Sequence, residues 1–113
     1  MKKVERILLS DSELAQATLL GERVHRLRIA RGLRQEEAAV RAGMSRPTAR
    51  KIEQGDPGRT LGQVLRYLEA IAPGMSLQQL LEGADPSLVA LQASERRQRV
   101  RQLSKAELER LDF

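Results

Sequence analysis

Apolar residues recur along the chain at the three- and four-residue spacing of helices, in stretches separated by glycine and proline. Such spacing places one side of a helix against a core and leaves the other side polar. Five stretches follow one another: Leu20, Val24 and Leu27; Ala38, Ala39 and Ala42; Met44, Ala49 and Ile52; Leu61, Val64, Leu65, Leu68 and Ile71; Leu77, Leu80 and Leu81. Their number and length predict an all-α fold, with a compact five-helix domain over residues 19–83.

Several helix starts are marked by polar residues that can satisfy free backbone amides. Thr60 with Gln63, and Ser76 with Gln79, have the spacing of a capping box, in which each side chain bonds the backbone of the other residue. These pairs predict that the fourth and fifth helices begin at residues 61 and 77.

The segment before the domain allows two interpretations. Residues 1–9 fit a short strand or a mobile arm equally well, and Ser10, Asp11 and Ser12 are alternative caps for a leading helix. Gly21 weakens a single continuous helix, so a break near Leu20 is expected as an alternative. Residues 1–18 are therefore predicted to be an N-terminal arm or a leading helix.

The C-terminal segment, residues 84–113, differs in composition and is predicted to be a helical or partly disordered tail. Asp85 followed by Pro86 is a typical helix start, and Ser104 with Glu107 suggests a second start. The basic stretch SERRQRVR suggests a phosphate contact, whereas three apolar residues near the end suggest anchors for a protein partner: Leu108, Leu111 and Phe113.

The segment LRQEEAAVRAGMSRPTARKIEQ, residues 33–54, predicts two short helices that touch. Ala39 is small enough for a close approach, and Gly43 permits the positive φ of a tight turn. The second helix carries polar and basic residues on its outer side: Ser45, Arg46, Pro47, Arg50 and Lys51. This combination of spacing, small residues and charge indicates a device that binds DNA.

Positive charge is concentrated around this motif. The chain has a net charge of +5, and residues 23–59 contain ten Lys or Arg against four acids. For the arginines of the first domain helix, a solvated surface competes with a phosphate contact: Arg23, Arg26, Arg28 and Arg31. The coincidence of charge with the two-helix motif favours nucleic-acid binding.

Composition argues against several other classes of protein. There is no Cys, one His and no apolar run near the length that spans a bilayer, so we expect no metal site, no cofactor, no membrane association and a cytoplasmic location. Glu36 and Glu37 fit the start of a helix, and we expect His25 to face solvent or phosphate. Aromatics are 2% of residues, and Tyr67 is placed at the core edge. We do not expect an enzyme.

The order and spacing of these elements resemble the lambda-repressor-like, or xenobiotic-response-element type, helix-turn-helix proteins. The resemblance covers residues 20–82 and rests on VHRLRIARGLRQEEAA, AGMS, KIEQG, TLGQVLRYLEAI and MSLQQLL. The stretch EQGDPGRTLGQVLRYLEAIAPGMSLQQLL is most similar to HipB-type antitoxins.

The resemblance implies which residues meet DNA. Gln35 would contact a phosphate at the start of the second helix, and the third helix would enter the major groove with Ser45, Arg46, Pro47, Thr48, Arg50 and Lys51. Arg46 and Arg50 are the expected readers of guanine. Arg34 stands where the family has a Ser or Thr cap and is expected to bind phosphate instead, while Ala38 and Ala49 replace larger aliphatics.

The expected function is a sequence-specific double-stranded DNA-binding transcriptional regulator. We expect a repressor that binds a palindromic operator as a homodimer, through residues 75–81 or a terminal segment. The alternative is the antitoxin of a type II toxin-antitoxin module, which also binds and neutralises a toxin.

Overall fold

A computed structural model describes residues 4–83 and 85–111, and this part of the chain is helical throughout with short connections. The helices are α1 (Val4–Leu8), α2 (Asp11–Ala30), α3 (Gln35–Ala42), α4 (Arg46–Glu53), α5 (Leu61–Ile71), α6 (Leu77–Glu82) and α7 (Pro86–Leu111). The interpretations of Met1 to Lys3 and Ala84, and the proposed anchoring role of the Leu108, Leu111 and Phe113 side chains, lie outside the described part.

Helices α2 to α6 are the five predicted helices, so the all-α, five-helix prediction is confirmed. α3 packs on α4 and α5, while α2 packs on α4, α5, α6 and α7. The predicted caps form: Thr60 Oγ1 accepts a hydrogen bond from the Gln63 amide at 3.1 Å, and Ser76 Oγ accepts one from the Gln79 amide at 3.1 Å. The strand alternative for the N-terminal segment is wrong over residues 4–8, which form α1.

In the described part of the chain, the core is aliphatic around the buried ring of Tyr67. Ala38, Ala49 and Tyr67 are each 0% exposed, and larger side chains close around them: Val24, Leu27, Leu68, Ile71 and Leu80. The placement of Tyr67 at the core edge is therefore wrong. Small residues at positions 38 and 49 leave room for helices α3 and α4 to approach the ring.

Gly21 does not break α2, which is continuous from Asp11 to Ala30 with Ser10 as its cap. A Cβ at Gly21 would lie 2.4 Å from the Gly55 nitrogen and 2.8 Å from the Glu53 carbonyl oxygen. The break expected from propensity is wrong because this glycine serves packing: it lets the chain leaving α4 lie directly against α2.

Helix α7 docks on α2 through its first turns. Asp85 Oδ1 accepts from the Arg31 guanidinium at 2.6 Å, Asp85 Oδ2 accepts from the Leu88 amide at 3.2 Å, and Leu88 is buried. The Asp85 cap is thus confirmed. The second start at Ser104 is wrong, because α7 is continuous through it. In the described ranges no helix is both long and apolar enough to cross a membrane.

Candidate nucleic-acid interface

The turn between α3 and α4 is built around Gly43. This residue has φ of 69°, and its amide bonds the Val40 carbonyl at 3.1 Å while the next amide, of Met44, bonds the Ala39 carbonyl at 3.0 Å. An added Cβ at Gly43 would meet only the far end of Arg66, at 3.9 Å, so the backbone angle rather than space requires glycine here. The predicted positive φ is confirmed.

Helix α4 has distinct inner and outer sides. Ala49, Ile52 and Glu53 are buried against the domain, whereas four predicted site residues are exposed: Arg46, Pro47, Arg50 and Lys51. Within the part of the chain that the structure describes, the cations of Arg46, Arg50 and Lys51 form no ion pair. Three positive side chains are therefore presented together to solvent along one short helix.

Ser45 and Thr48 occupy the start of α4. Ser45 Oγ accepts from the Thr48 amide at 3.3 Å, and the two hydroxyl oxygens lie 3.0 Å apart at hydrogen-bond distance. Ser45 thus caps the helix and holds the Thr48 side chain, so both residues shape the leading end of α4. Pro47 in the first turn costs no hydrogen bond, because that amide has no helical partner.

Arg34 and Gln35 lie at the start of α3. As expected, the Arg34 side chain does not cap α3, because a guanidinium accepts no hydrogen bond. The Glu37 carboxylate instead accepts a hydrogen bond from the Arg34 backbone amide at 3.3 Å. The Arg34 side chain is 87% exposed, with Nε 4.0 Å from the Glu37 carboxylate. Gln35 is half-buried as the first residue of α3.

A buried acid on the inner side of α4, Glu53, was not among the predicted site residues. Glu53 Oε2 accepts from Arg28 Nε at 2.7 Å and from the Tyr67 hydroxyl, while Oε1 lies 2.5 Å from His25 Nδ1. The carboxylate side chain is 4% exposed and that of Arg28 is 12% exposed. His25 therefore meets Glu53 through Nδ1, a contact that was not predicted, while 45% of its side chain stays exposed to solvent as expected.

The electrostatics of this cluster favour a charged pair. Burial alone would raise the pKa of Glu53, but hydrogen bonds from Arg28, Tyr67 and His25 outweigh burial and hold the pKa below its ordinary value. Burial and the neighbouring carboxylate raise the pKa of the Tyr67 hydroxyl, which stays protonated and donates. One signal in the sequence marks Glu53: it lies four residues after Ala49, so it shares the inner side of α4.

The arginines of α2 are used inside the chain. Arg28 is bonded to Glu53 and to the Leu33 carbonyl, Arg31 to Asp85, and Arg26 to Glu95 at 2.5 Å, while Arg23 reaches the Leu80 carbonyl at 3.5 Å. These intramolecular contacts were predicted by neither interpretation of the α2 arginines, the solvated surface or the phosphate contact. Among the described domain helices, the cations without such internal partners therefore lie on α4 rather than on α2.

Comparison with protein families finds a match over residues 19–74 to a family model described as a helix-turn-helix domain. Residues 19–74 therefore match a helix-turn-helix domain. The matched segment contains every predicted site residue from Arg34 to Lys51, and it ends after α5. Comparisons with curated proteins and with solved structures found no match.

Proposed function

We propose that the chain is a transcriptional regulator that binds a specific double-stranded DNA operator, acts as a repressor, and does so as a homodimer. The observation that carries the proposal is the contrast between two helices of the helix-turn-helix domain. Arg46, Arg50 and Lys51 extend from α4 without ion pairs in the described part of the chain, whereas the α2 arginines are held internally. Free cations on the second helix of this motif are what major-groove binding requires.

Each residue has a proposed role in that groove. Arg46 and Arg50 read bases, because a guanidinium bonds both O6 and N7 of guanine. Pro47 offers an apolar contact to a thymine methyl, and Lys51 contacts phosphate. Ser45 and Thr48 position the leading end of α4 beside the DNA backbone. Two copies are needed because one eight-residue helix reads only a few base pairs.

Phosphate contacts are proposed for the start of α3. The Gln35 side chain and the exposed guanidinium of Arg34 sit beside free amides that carry partial positive charge. Such contacts orient the domain and carry no sequence information. Replacing either residue by Ala is expected to weaken binding to all sequences alike, and to lower the slope of log affinity against log salt by about 0.9 per lost phosphate contact.

Selection of operators from random DNA tests the function. The binding of Arg50→Ala to the selected sequence is then measured. The substitution is expected to cost about 1 to 3 kcal/mol of binding free energy and to relax the base choice at one position. Arg23→Ala is the matched control, because Arg23 reaches the Leu80 carbonyl within the domain itself. The proposal fails if selection yields no consensus. Base-reading by Arg50 fails if the profile changes only in strength.

The second candidate is an antitoxin that binds a toxin as well as DNA. It is supported by the resemblance of residues 53–81 to HipB-type antitoxins. The test is co-purification of the chain with the product of the adjacent reading frame, followed by growth with and without the chain. Absence of a toxic neighbour would leave a stand-alone regulator.

A further inference from the structure

The C-terminal half of α7 lacks support from the rest of the chain. From Arg96 to Lys105 ten consecutive residues are exposed, and the described part of the molecule measures 62 Å along its longest axis but 32 and 25 Å across. Arg97, Arg101 and Lys105 follow each other at four-residue spacing, where like charges destabilise a lone helix. A helix of this kind gains stability from a partner.

One side of this helix has the spacing of a pairing surface. The α7 stripe consists of residues separated alternately by four and three positions: Val89, Ala93, Arg96, Val100, Leu103 and Glu107. That alternation is the repeat by which two helices bury a common seam. The side chains of Val100 and Leu103 are exposed at 58% and 65%.

The stripe is not the side of α7 that packs on the domain. α7 meets α2 through Leu88 and Glu95, and the Glu95 carboxylate accepts from Arg26 at 2.5 Å. At 100° per residue, Leu88 and Glu95 lie about 100° and 120° around the helix from the centre of the stripe. The contact with α2 therefore fixes the rotation of α7 and leaves the stripe open.

We propose that the stripe pairs with the same stripe of a second copy, with the two helices antiparallel. When Val100 lies opposite Leu103 of the second copy, Arg96 lies opposite Glu107 of the second copy, and both pairs occur twice about the two-fold axis. A parallel pair would instead place Arg96 against Arg96 and Glu107 against Glu107. Charge thus selects the antiparallel arrangement.

The flanks of the antiparallel pair contain no facing like charges. In this register Arg97 lies beside Ser104 of the second copy, and Arg99 lies beside Ala106 of the second copy. The two folded domains sit at opposite ends of the helix pair. Phosphate is a poorer occupant of the stripe, because Glu107 would repel it and Val100 with Leu103 would gain nothing from it.

The pairing of the α7 stripe rests on the proposed function and names the surface that makes the regulator dimeric. Reversal of charge on the stripe tests the pairing. Full-length R96E and E107R each reverse the charge of one partner in both ion pairs. Each variant alone is expected to raise the dimer dissociation constant about tenfold or more in sedimentation equilibrium. An equimolar mixture is expected to return within about threefold of the wild type, since every contact in the mixed dimer is again opposite in charge.

R101E is the matched control for R96E, because it makes the same change in net charge on the same helix but away from the stripe. It is expected to dimerise within about threefold of the wild type, with helix content checked by circular dichroism. The proposal is overturned by a monomeric wild type, by dimers of R96E and E107R as tight as the wild type, by a mixture that does not recover, or by equal weakening in R101E.

Operator binding separates this proposal from the function itself. R96E is expected to keep its affinity for an isolated half-site while losing cooperative binding to the whole operator. If R96E and R101E instead lose half-site affinity equally, α7 is a phosphate contact and the pairing is wrong, although the regulator stands. If the wild type binds no selected DNA, the regulator fails whatever the oligomeric state.

Discussion

Replacing Gly21 by Ala tests how α4 is held against the domain. The added methyl would lie 2.4 Å from the Gly55 nitrogen, 2.8 Å from the Gly55 Cα and 2.8 Å from the Glu53 carbonyl oxygen, all of them backbone atoms. Ordinary contact begins near 3.4 Å, so the chain after α4 must move by several tenths of an ångström or more. Flexible side chains cannot absorb this change.

Two opposed effects decide whether Gly21→Ala stabilises or destabilises the fold. Ala in place of a helical Gly gains up to about 1 kcal/mol through propensity. Overpacking a well-packed site costs about 1 to 3 kcal/mol. The cost at Gly21 should reach the upper end of this range or exceed it, because the neighbouring atoms belong to the backbone and cannot rotate away. We therefore expect a net loss of about 2 kcal/mol or more. Each kcal/mol lowers Tm by roughly 4 °C in a chain of this size. Operator affinity should fall as well, because the displaced residues form the end of α4.

Urea unfolding followed by circular dichroism measures the stability, and fluorescence anisotropy measures operator binding below the transition. Gly62→Ala is the matched control: Gly62 lies in α5, and its nearest neighbour would be Thr60 Oγ1 at 3.9 Å. The control should match the wild type or gain up to about 1 kcal/mol. If Gly21→Ala is as stable as Gly62→Ala, the close approach of α2 to the end of α4 is not a constraint.

The remaining predictions concern the buried ion pairs. Glu53→Gln should cost about 2 to 3 kcal/mol in urea unfolding, because it leaves the Arg28 guanidinium buried without a carboxylate; an unchanged midpoint would contradict this. Because the pKa of Glu53 is lowered in the folded chain, its contribution to stability is present above the ordinary pKa of 4.5 and is lost as pH falls through the folded pKa. The unfolding free energies of wild type and Glu53→Gln should therefore converge in that acidic range. Tyr67→Phe should cost about 1 kcal/mol through loss of the hydroxyl donor, measured in the same way. Asp85→Asn should speed hydrogen exchange in the first turns of α7, since the Arg31 pair and the cap weaken together; equal exchange would refute that role.

Short-range features were predictable from the sequence. The capping pairs at Thr60 and Ser76 act within one helical turn, and the φ of Gly43 depends on its own turn. The outer position of Arg46, Arg50 and Lys51 follows from the apolar spacing of Ala49 and Ile52 on the opposite side. Each of these inferences needs only residues within one turn of the helix concerned.

Long-range partners were not predictable in this way. Glu53 meets Arg28 across 25 positions, and Asp85 meets Arg31 across 54, so both depend on how whole helices cross. Gly21 was misjudged for the same reason: its propensity is a property of one helix, whereas its use depends on Gly55. The same limit applies to Tyr67, whose hydroxyl meets Glu53 across 14 positions of the sequence.

The two-sided construction of α4 separates the residues proposed to contact DNA from the residues that keep the domain folded. Ala49, Ile52 and Glu53 hold the helix, while Arg46, Arg50 and Lys51 do not contribute to the core. Substitutions on the outer side can therefore accumulate, or be introduced by design, at little cost in stability. Duplicated copies of such a gene could drift toward new operators on an unchanged scaffold, and the three outer cations are the positions at which retargeting should begin.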